Sequence, residues 1–165
     1  GGGYGVEITA NGNYSGQSYT RTALAIFTIA PIDASLGVSY SDQGLDANHD
    51  GIFEWLKVVA PVTVTKEGTF TLSADLYAGD TYIASARQSE DLISGAQIID
   101  LLFDGGLIFS AAKNGPFTLR NVILLEDLPA SILIEAKDNV YSTTNYLYWQ
   151  FGITGNRLFL PVIQK

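Results

Sequence analysis

The sequence predicts an all-β protein: an antiparallel β-sandwich of about ten strands, Ig-like or jelly-roll-like, with at most a short helical turn. Three observations lead to this class. Apolar and polar residues alternate with a period of two through most of the chain, turn signals rich in Gly, Asn and Asp separate the alternating runs, and no stretch keeps a 3.6-residue period. The composition fits strands and turns, because Gly (17 residues) and aromatic residues (12%) are frequent while charged residues make up only 16%. With 165 residues, the chain is long enough for one domain and a short arm.

Two strands are predicted near the amino terminus, over residues 4–9 and 18–29, with the turn between them at Asn11-Gly12-Asn13. We assign residues 1–37 to an amino-terminal strand arm and residues 38–165 to the sandwich. The arm pairs either within its own sheet or with a neighbouring chain by strand exchange, and the sequence leaves both possibilities open.

The clearest alternation lies in the middle of the chain. Even positions are apolar over residues 56–64 and again over residues 70–76, which predicts a half-buried strand pair joined by the turn at Lys66-Glu67-Gly68. Pro61 lies inside the first of these strands and predicts an edge or a bulge, because proline donates no hydrogen bond to a β-ladder. The predicted turn Ala78-Gly79-Asp80 leads to a further predicted strand over residues 81–88.

The rest of the chain contains more short strands and the one predicted helical turn, over residues 106–113. Turn signals at Asp104-Gly105-Gly106, Asn114-Gly115-Pro116 and Gly155-Asn156 separate the neighbouring segments. The predicted strands of this part cover residues 97–103, 117–125, 132–136, 146–151 and 158–163.

Charge and composition exclude several classes of function. The formal net charge is -8, and without clustered Lys and Arg the chain lacks the charge that nucleic-acid binding requires. The absence of Cys excludes disulfides, zinc–thiolate sites, iron–sulfur clusters and thiol nucleophiles. The longest apolar run, residues 23–32, has about half the roughly 20 residues of a membrane-spanning helix, so we expect no membrane span.

Gly1 stands where an initiator Met would be; we interpret this as the result of processing and expect a mature protein that is secreted or at the cell surface.

One segment, residues 46–54, carries a specific metal-binding pattern. Its first, third, fifth and ninth positions have oxygen-bearing side chains, and its sixth position is Gly51, which allows a sharp bend. This spacing is typical of the first part of a calcium loop, because a hard cation takes six to eight oxygen ligands at about 2.3–2.6 Å. The seventh residue would supply a backbone carbonyl, and Glu54 would complete the ligand set from the first residue of the following strand. The predicted Ca²⁺ ligands are Asp46, Asn48, Asp50, Ile52 and Glu54.

Lys57 stands where the Glu that completes an EF-hand would be, so we expect a loop between strands rather than a helix–loop–helix unit. The ion would be structural and would hold the entry to the following strand, with a dissociation constant of about 10⁻⁴–10⁻³ M, as in extracellular modules. The alternative is an Asx-rich turn that binds no metal, because Asp, Asn and Gly are common turn residues.

Between residues 40 and 151, the chain resembles a family of extracellular β-sandwich modules with a calcium loop, which occur in secreted and cell-surface proteins of bacteria and archaea. The calcium-loop motif is the most specific part of this resemblance. The matching segments are residues 41–56, 68–77, 95–105, 114–117 and 146–148. The resemblance implies an Ig-like or jelly-roll-like sandwich that accompanies secreted enzymes or adhesive stalks and has no chemistry of its own.

Few residues suit catalysis. His49 is the only histidine and lies inside the predicted calcium loop, which is a poor place for a general base. The sequence contains neither a Gly-x-Ser-x-Gly elbow nor a Gly-rich phosphate loop. Two acids such as Asp75 and Asp100 would serve glycoside hydrolysis if they stood about 5–9.5 Å apart, but acids on strand faces are more often solvated. We therefore expect no enzymatic activity.

Carbohydrate binding, as in an accessory module of a secreted hydrolase, is the alternative function. Exposed Tyr and Trp rings form flat platforms with a polar tip. If residues 146–151 form a strand, alternation places Trp149 in the core and leaves Tyr146 and Tyr148 on the other face. The candidate platform residues are Trp55, Tyr141, Tyr146, Tyr148 and Trp149.

Self-association is the third possibility. The predicted strand over residues 18–29 is long and has Arg21 as its only charged residue, so as an exposed edge it would pair readily with another chain. Strand addition repeated from subunit to subunit gives an open filament. The opposing interpretation is that this segment is a central strand of its own sandwich.

The sequon Asn13-Tyr14-Ser15 is a site where a surface glycan can be attached in a secreted protein, and the sequence leaves its use open. From all of these features we expect a structural or adhesive module, stabilised by calcium, that forms a homo-oligomer or filament through strand pairing.

Overall fold

The computed structural model describes residues 2–29, 32–127 and 131–152, and the chain forms two compact units, residues 1–32 and 33–165. Within the described residues, no helix is long and apolar enough to cross a lipid bilayer. The elements are β1 (Gly2–Tyr14), β2 (Gln17–Ile29), β3 (Ala34–Leu36), β4 (Ser41–Leu45), β5 (Trp55–Val64), β6 (Gly68–Ala78), β7 (Thr81–Leu92), β8 (Gly95–Asp104), α1 (Gly105–Ala111), β9 (Thr118–Glu126), β10 (Ile132–Lys137), β11 (Tyr141–Ser142) and a 3-10 helix (Tyr148–Gln150).

The first unit is a β-hairpin, in which β1 and β2 pair antiparallel along their whole length. Its turn consists of Ser15 and Gly16, because Tyr14 pairs with Gln17. Ser15 and Gly16 both have positive φ, 51° and 78°, as a two-residue turn requires if it is to follow the twist of the strands.

The turn predicted at Asn11-Gly12-Asn13 is therefore wrong, since these residues lie inside β1. Their amide side chains are used across the hairpin instead of in a turn. Asn11 Oδ1 accepts a hydrogen bond from Thr20 Oγ1 at 2.7 Å, and Asn13 Oδ1 accepts one from Ser18 Oγ at 2.8 Å.

The second unit is the predicted antiparallel β-sandwich. One sheet has the order β10-β9-β6-β7, with β11 also paired to β9; in the other, β5 pairs with β3 and β4 and with β8. Alternate residues of these strands point between the sheets, which places the core there and confirms the all-β class. The largest fully buried side chains are Phe70, Phe103, Phe117, Phe151, Leu56, Leu72, Leu76, Ile99, Leu101, Ile108, Leu119 and Leu124.

The strands on either side of the Lys66-Glu67-Gly68 turn are not paired as the sequence predicted, because β5 and β6 belong to different sheets. Both strands bury their even positions, so the alternation is the same whether they are neighbours or face each other across the core. The hairpin of β6 is formed with β7 through Gly79 and Asp80, where the sequence predicted a turn.

Pro61 lies in a central strand, and no register shift interrupts its pairing with β8, so the predicted edge or bulge is wrong. On the other side of β5, β4 pairs with residues up to Val59 and β3 with residues from Val62 onwards. Pro61 thus lies in the gap between two short strands. Its carbonyl accepts a hydrogen bond from Gly37 N at 2.8 Å, and a Cβ on Gly37 would come within 2.9 Å of the Pro61 ring.

Three further differences concern boundaries. Residues 33–37, which the sequence placed in the arm, lie in the second unit because Ala34 and Leu36 are buried in its core. The strand predicted over residues 146–151 is wrong, since none of these residues lies in a strand and residues 148–150 form a 3-10 helix. The strand predicted over residues 158–163 lies outside the described residues.

Candidate metal centre

The segment with the metal-binding pattern connects β4 to β5. Leu45 and Trp55 are paired residues at the ends of these strands, so both ends of the loop are held together. Glu54 N donates to the Leu45 carbonyl at 2.9 Å. Glu54 lies just before β5, whereas the sequence had predicted it as the first residue of that strand. The loop is bounded by strands, as predicted.

Hydrogen bonds from the backbone fold the loop tightly. Asp46 accepts from Asp50 N at 3.1 Å through Oδ1 and from Gly51 N at 2.8 Å through Oδ2. Asp50 in turn accepts from Ile52 N at 2.9 Å. The two tightest bends are at His49 and Gly51, which have φ of 62° and 85°. Gly51, at the sixth position, allows the sharp bend that the sequence predicted, because a residue without a Cβ adopts positive φ at no steric cost.

Three carboxylates converge in this loop. One oxygen from each of Asp46, Asp50 and Glu54 lies within 4.8 Å of the other two. Glu54 Oε2 accepts from Ala47 N at 2.7 Å, whereas Glu54 Oε1 is shielded from solvent and has no hydrogen-bond partner within the described residues. A buried carboxylate oxygen without a donor is costly. A cation bound among the three carboxylates would supply the missing partner.

The other two predicted ligands, Asn48 and Ile52, lie in the same loop, and both form hydrogen bonds with Asp50. Asn48 Oδ1 accepts from Asp50 N at 2.9 Å, and its Nδ2 lies 3.4 Å from Asp50 Oδ2. The Ile52 side chain is buried. The residues present fit a hard divalent cation, because the three side-chain atoms that converge are carboxylate oxygens, which such a cation prefers as ligands.

The sequence did not reveal how α1 supports the loop. Gly105 N, at the first residue of α1, donates to the Glu54 carbonyl at 2.8 Å. A Cβ on Gly105 would lie 2.5 Å from the Phe53 carbonyl oxygen and 2.7 Å from that of Glu54. Asp104 accepts from Gly106 N at 2.7 Å and thereby caps the helix. The sequence predicted a turn at Asp104-Gly105-Gly106. Because Gly105 has no side chain, the backbone of α1 also approaches the backbone of Phe53 and Glu54 closely.

The residues considered for catalysis are not brought together. His49 is exposed in the loop. Asp75 and Asp100 lie in different sheets, and the neighbours of each along its strand are buried, so the two carboxylates point away from the core in opposite directions. Asp75 accepts hydrogen bonds from Ser85 and Asn121, and Asp100 forms an ion pair with Lys57 at 3.3 Å. A glycosidase pair is thus excluded for Asp75 and Asp100.

Two of the five candidate platform residues serve the fold. Tyr146 is 9% exposed, and its hydroxyl donates to Asp42 at 2.8 Å. The Tyr141 hydroxyl donates to the other oxygen of Asp42. Burial, together with the hydrogen bond to Asp42 and its negative charge, raises the pKa of Tyr141 to about 12. The predicted exposure of Tyr146 is wrong, because the segment is not a strand.

Asp42, which the sequence did not single out, is the acceptor of this network. Thr144 donates to it twice, from N at 3.0 Å and from Oγ1 at 2.7 Å. Burial works against its ionisation, but the hydrogen bonds from Tyr141, Thr144 and Tyr146 outweigh that effect and lower the pKa of Asp42 below its ordinary value. β4 is thereby joined to β11 and to the segment that follows it. No sequence signal marks this role, since the partners lie about a hundred residues away.

Two of the other candidate platform residues, Tyr148 and Trp149, form a surface cluster with Phe109. Tyr148 lies 5.9 Å from Phe109 of α1 and 5.3 Å from Trp149, measured between ring centroids. Trp149 is 49% exposed, so the prediction that it lies in the core is wrong. Trp55 is also partly exposed, on β5.

No family model matches the sequence, and no curated protein matches it. Solved structures do: a DUF4785 family protein from Legionella pneumophila superposes with a TM-score of 0.59 at 17% identity. The match covers 86% of this chain and 36% of that protein, so the chain spans about a third of its length. At this identity, the likeness supports the fold alone.

Proposed function

We propose that this protein is a non-enzymatic, extracellular structural or adhesive module that one calcium ion stabilises, and that it assembles with copies of itself at a cell surface or in a filament. The convergence of Asp46, Asp50 and Glu54 in a loop between two core strands is the observation that carries this proposal.

Calcium would stabilise the loop for an electrostatic reason. Three carboxylates at such short separations repel one another, and a divalent cation among them turns that repulsion into attraction. The effect would extend beyond the loop, because Glu54 is bonded through its backbone to β4 and to the start of α1. Calcium would thus hold together the end of the sandwich where these elements meet.

The lack of a catalytic constellation supports a role without chemistry. Within the described residues, the lone histidine is exposed and the considered carboxylate pair is separated by the core. One surface groove found there is lined by Asn121, Val122, Ile123, Ala136, Lys137 and Asp138, and its one amine, Lys137 Nζ, is paired with Glu135 at 2.8 Å.

Thermal unfolding tests the calcium part of this proposal. With free Ca²⁺ at about 100 times its dissociation constant, linkage raises the free energy of unfolding by about 2.7 kcal/mol. For a protein of this size, that corresponds to an increase in Tm of about 5–10 °C over the sample with chelator. Calorimetry measures both samples.

Two variants make this test specific. Glu54→Gln removes one of the three converging charges and should abolish the difference between calcium and chelator. Glu67→Gln removes the same charge from an exposed turn that follows the other end of β5, and this variant should keep the difference. An equal Tm with calcium and with chelator in the unmodified protein would contradict calcium stabilisation.

Carbohydrate binding stays the second candidate, and the cluster of Phe109, Tyr148 and Trp149 is the observation that favours it. Partly exposed aromatic rings that pack against one another form a surface on which sugar rings can stack. A glycan array probed with the unmodified protein and with Trp149→Ala tests it. Binding that is lost in Trp149→Ala and kept in Trp55→Ala would favour the carbohydrate-binding function over the purely structural one.

A further inference from the structure

The hairpin of residues 2–29 is a two-stranded sheet, with no third strand among the residues that the structure describes. Each of its strands has 13 residues, about twice the usual length, and within the described residues β1 and β2 pair only with each other. An isolated two-stranded hairpin is marginally stable in water, whereas three or more strands with an apolar face are stable. A further strand would therefore stabilise the hairpin.

One face of the hairpin is apolar near its open end. Tyr4, Val6 and Ile8 of β1 lie on this face, and Phe27 of β2 pairs with Tyr4, their rings stacked at 5.8 Å. These four side chains are 45–63% exposed. A row of half-exposed apolar side chains on one face is typical of an interaction surface.

The free edge of β2 has none of the features that protect edges. β2 contains no proline and has a single charged residue, Arg21. Its register with β1 is continuous from Gln17 to Ile29, without a bulge. A long, flat edge of this kind pairs readily with another strand.

The distribution of charge favours the hairpin over the sandwich as the contact between copies. Glu7 and Arg21 are the only charged residues of the first unit and cancel each other, so the whole net charge of -8 belongs to residues 33–165. Two sandwiches that approach each other repel, whereas two hairpins do not.

We propose that the β2 strands of two copies pair antiparallel through their free edges, around a two-fold axis at Ala23. The product is one four-stranded sheet, β1-β2-β2-β1, with Tyr4, Val6, Ile8 and Phe27 of both copies on one face and Leu24 and Ile26 on the other. This inference rests on the self-assembly in the proposed function and identifies its interface. A two-fold contact closes, so the building block is a dimer, and a filament would need a second contact elsewhere.

The register follows from the strand itself. When all 13 residues overlap, Ala23 lies opposite its own copy and Tyr19 lies opposite Phe27, on the face that carries Tyr4 in each hairpin. Arg21 then faces Ala25. A register shifted by two residues towards the turn would place Arg21 opposite Arg21, where like charges destabilise a pair directly opposite each other.

A single cysteine tests this interface, because the chain has none of its own. In Ala23→Cys, the two sulfur-bearing side chains would lie directly opposite, with Cβ atoms about 4.5–5.5 Å apart. We expect a short bifunctional thiol reagent to convert this variant into a covalent dimer. Arg87→Cys, on the exposed side of β7 in the sandwich, should stay uncoupled under the same conditions.

Sedimentation of the full chain gives the dissociation constant. Ala23→Lys places two ammonium groups opposite each other and should weaken the dimer about tenfold or more. Thr9→Lys adds the same charge on β1, away from the shared edge, and should leave the dissociation constant unchanged within about twofold.

The outcomes separate this inference from the proposed function. A dimer that couples through position 87 and not through position 23 would overturn the β2 interface and keep self-assembly. A chain that stays monomeric at high concentration, whether the hairpin is covered by its own sandwich or is exposed, would overturn both.

Discussion

At the scale of single residues, Asp42 shows how one side chain determines the position of a distant segment. Its carboxylate accepts hydrogen bonds from Tyr141 of β11 and from Thr144 and Tyr146, which follow that strand. Tyr146 is buried because of this network, although its own neighbourhood in the sequence suggested an exposed position.

Asp42→Asn should reduce the free energy of unfolding by about 1–3 kcal/mol at neutral pH, because the amide cannot accept the same set of hydrogen bonds. The pKa of Asp42 is lower in the folded state than its ordinary value of 3.8. Its contribution is therefore fully present above pH 3.8 and is lost as the pH falls through the lower, folded-state value.

Urea unfolding at a series of pH values measures this effect. The difference between the unmodified protein and Asp42→Asn should shrink below about pH 4. Asp80→Asn, at a fully exposed position, should show no comparable difference at any pH. A constant difference down to pH 2 would contradict the role of the charge.

The residues of the candidate site divide into those that the sequence predicts and those that it does not. The spacing of Asp46, Asp50 and Glu54 predicted their convergence, because alternate residues of a tight loop turn inwards. The contribution of Gly105 had no such signal. Glu54 and Gly105 are about fifty residues apart, and pattern reasoning extends only over neighbours in the sequence.

At the scale of elements, alternation predicted which segments are strands but not which strands pair. β5 and β6 show why, since both bury their even positions and yet lie in facing sheets. The burial pattern of a strand depends on the core alone. Pairing depends on where the chain crosses from one sheet to the other, and a short turn permits either arrangement.

The contact between α1 and the metal loop gives a prediction at this scale. Gly105→Ala would bring a Cβ to 2.5 Å from the Phe53 carbonyl oxygen, so one of the two backbones must move. We expect a loss of about 1–3 kcal/mol in the free energy of unfolding, measured by chemical denaturation. We also expect weaker calcium binding, because Glu54 moves with its carbonyl.

Gly5→Ala is the matched control. There the added Cβ would be 3.5 Å from Leu24 Cδ1, an ordinary contact in the hairpin. This variant should leave both the stability of the sandwich and its calcium response unchanged. If Gly105→Ala behaved in the same way, the close approach of α1 to the loop would have no energetic consequence.

At the scale of the whole molecule, the buried hydrophobic cluster of the described residues lies in the second unit. Every residue of the buried cluster lies between Ala34 and Phe151. A chain that begins at Asp33 should therefore fold, with a Tm at low concentration within a few degrees of that of the full chain and with the same calcium response.

Sedimentation of this shortened chain should show monomers, since the β2 edge is gone. Circular dichroism and calorimetry check its folding. An unfolded or aggregated product would show that the hairpin is required for the sandwich, which contradicts the division into two units.

A calcium titration followed by two-dimensional NMR tests the central claim most directly, because it measures both affinity and location in a protein of 17.7 kDa. We predict saturable shifts of the amide signals of residues 46–54 and Gly105, with a dissociation constant of about 10⁻⁴–10⁻³ M, and no such response in Glu54→Gln. An unchanged loop at about 10 mM calcium, roughly ten times the upper end of that range, would contradict the account, as would shifts spread evenly over the acidic surface.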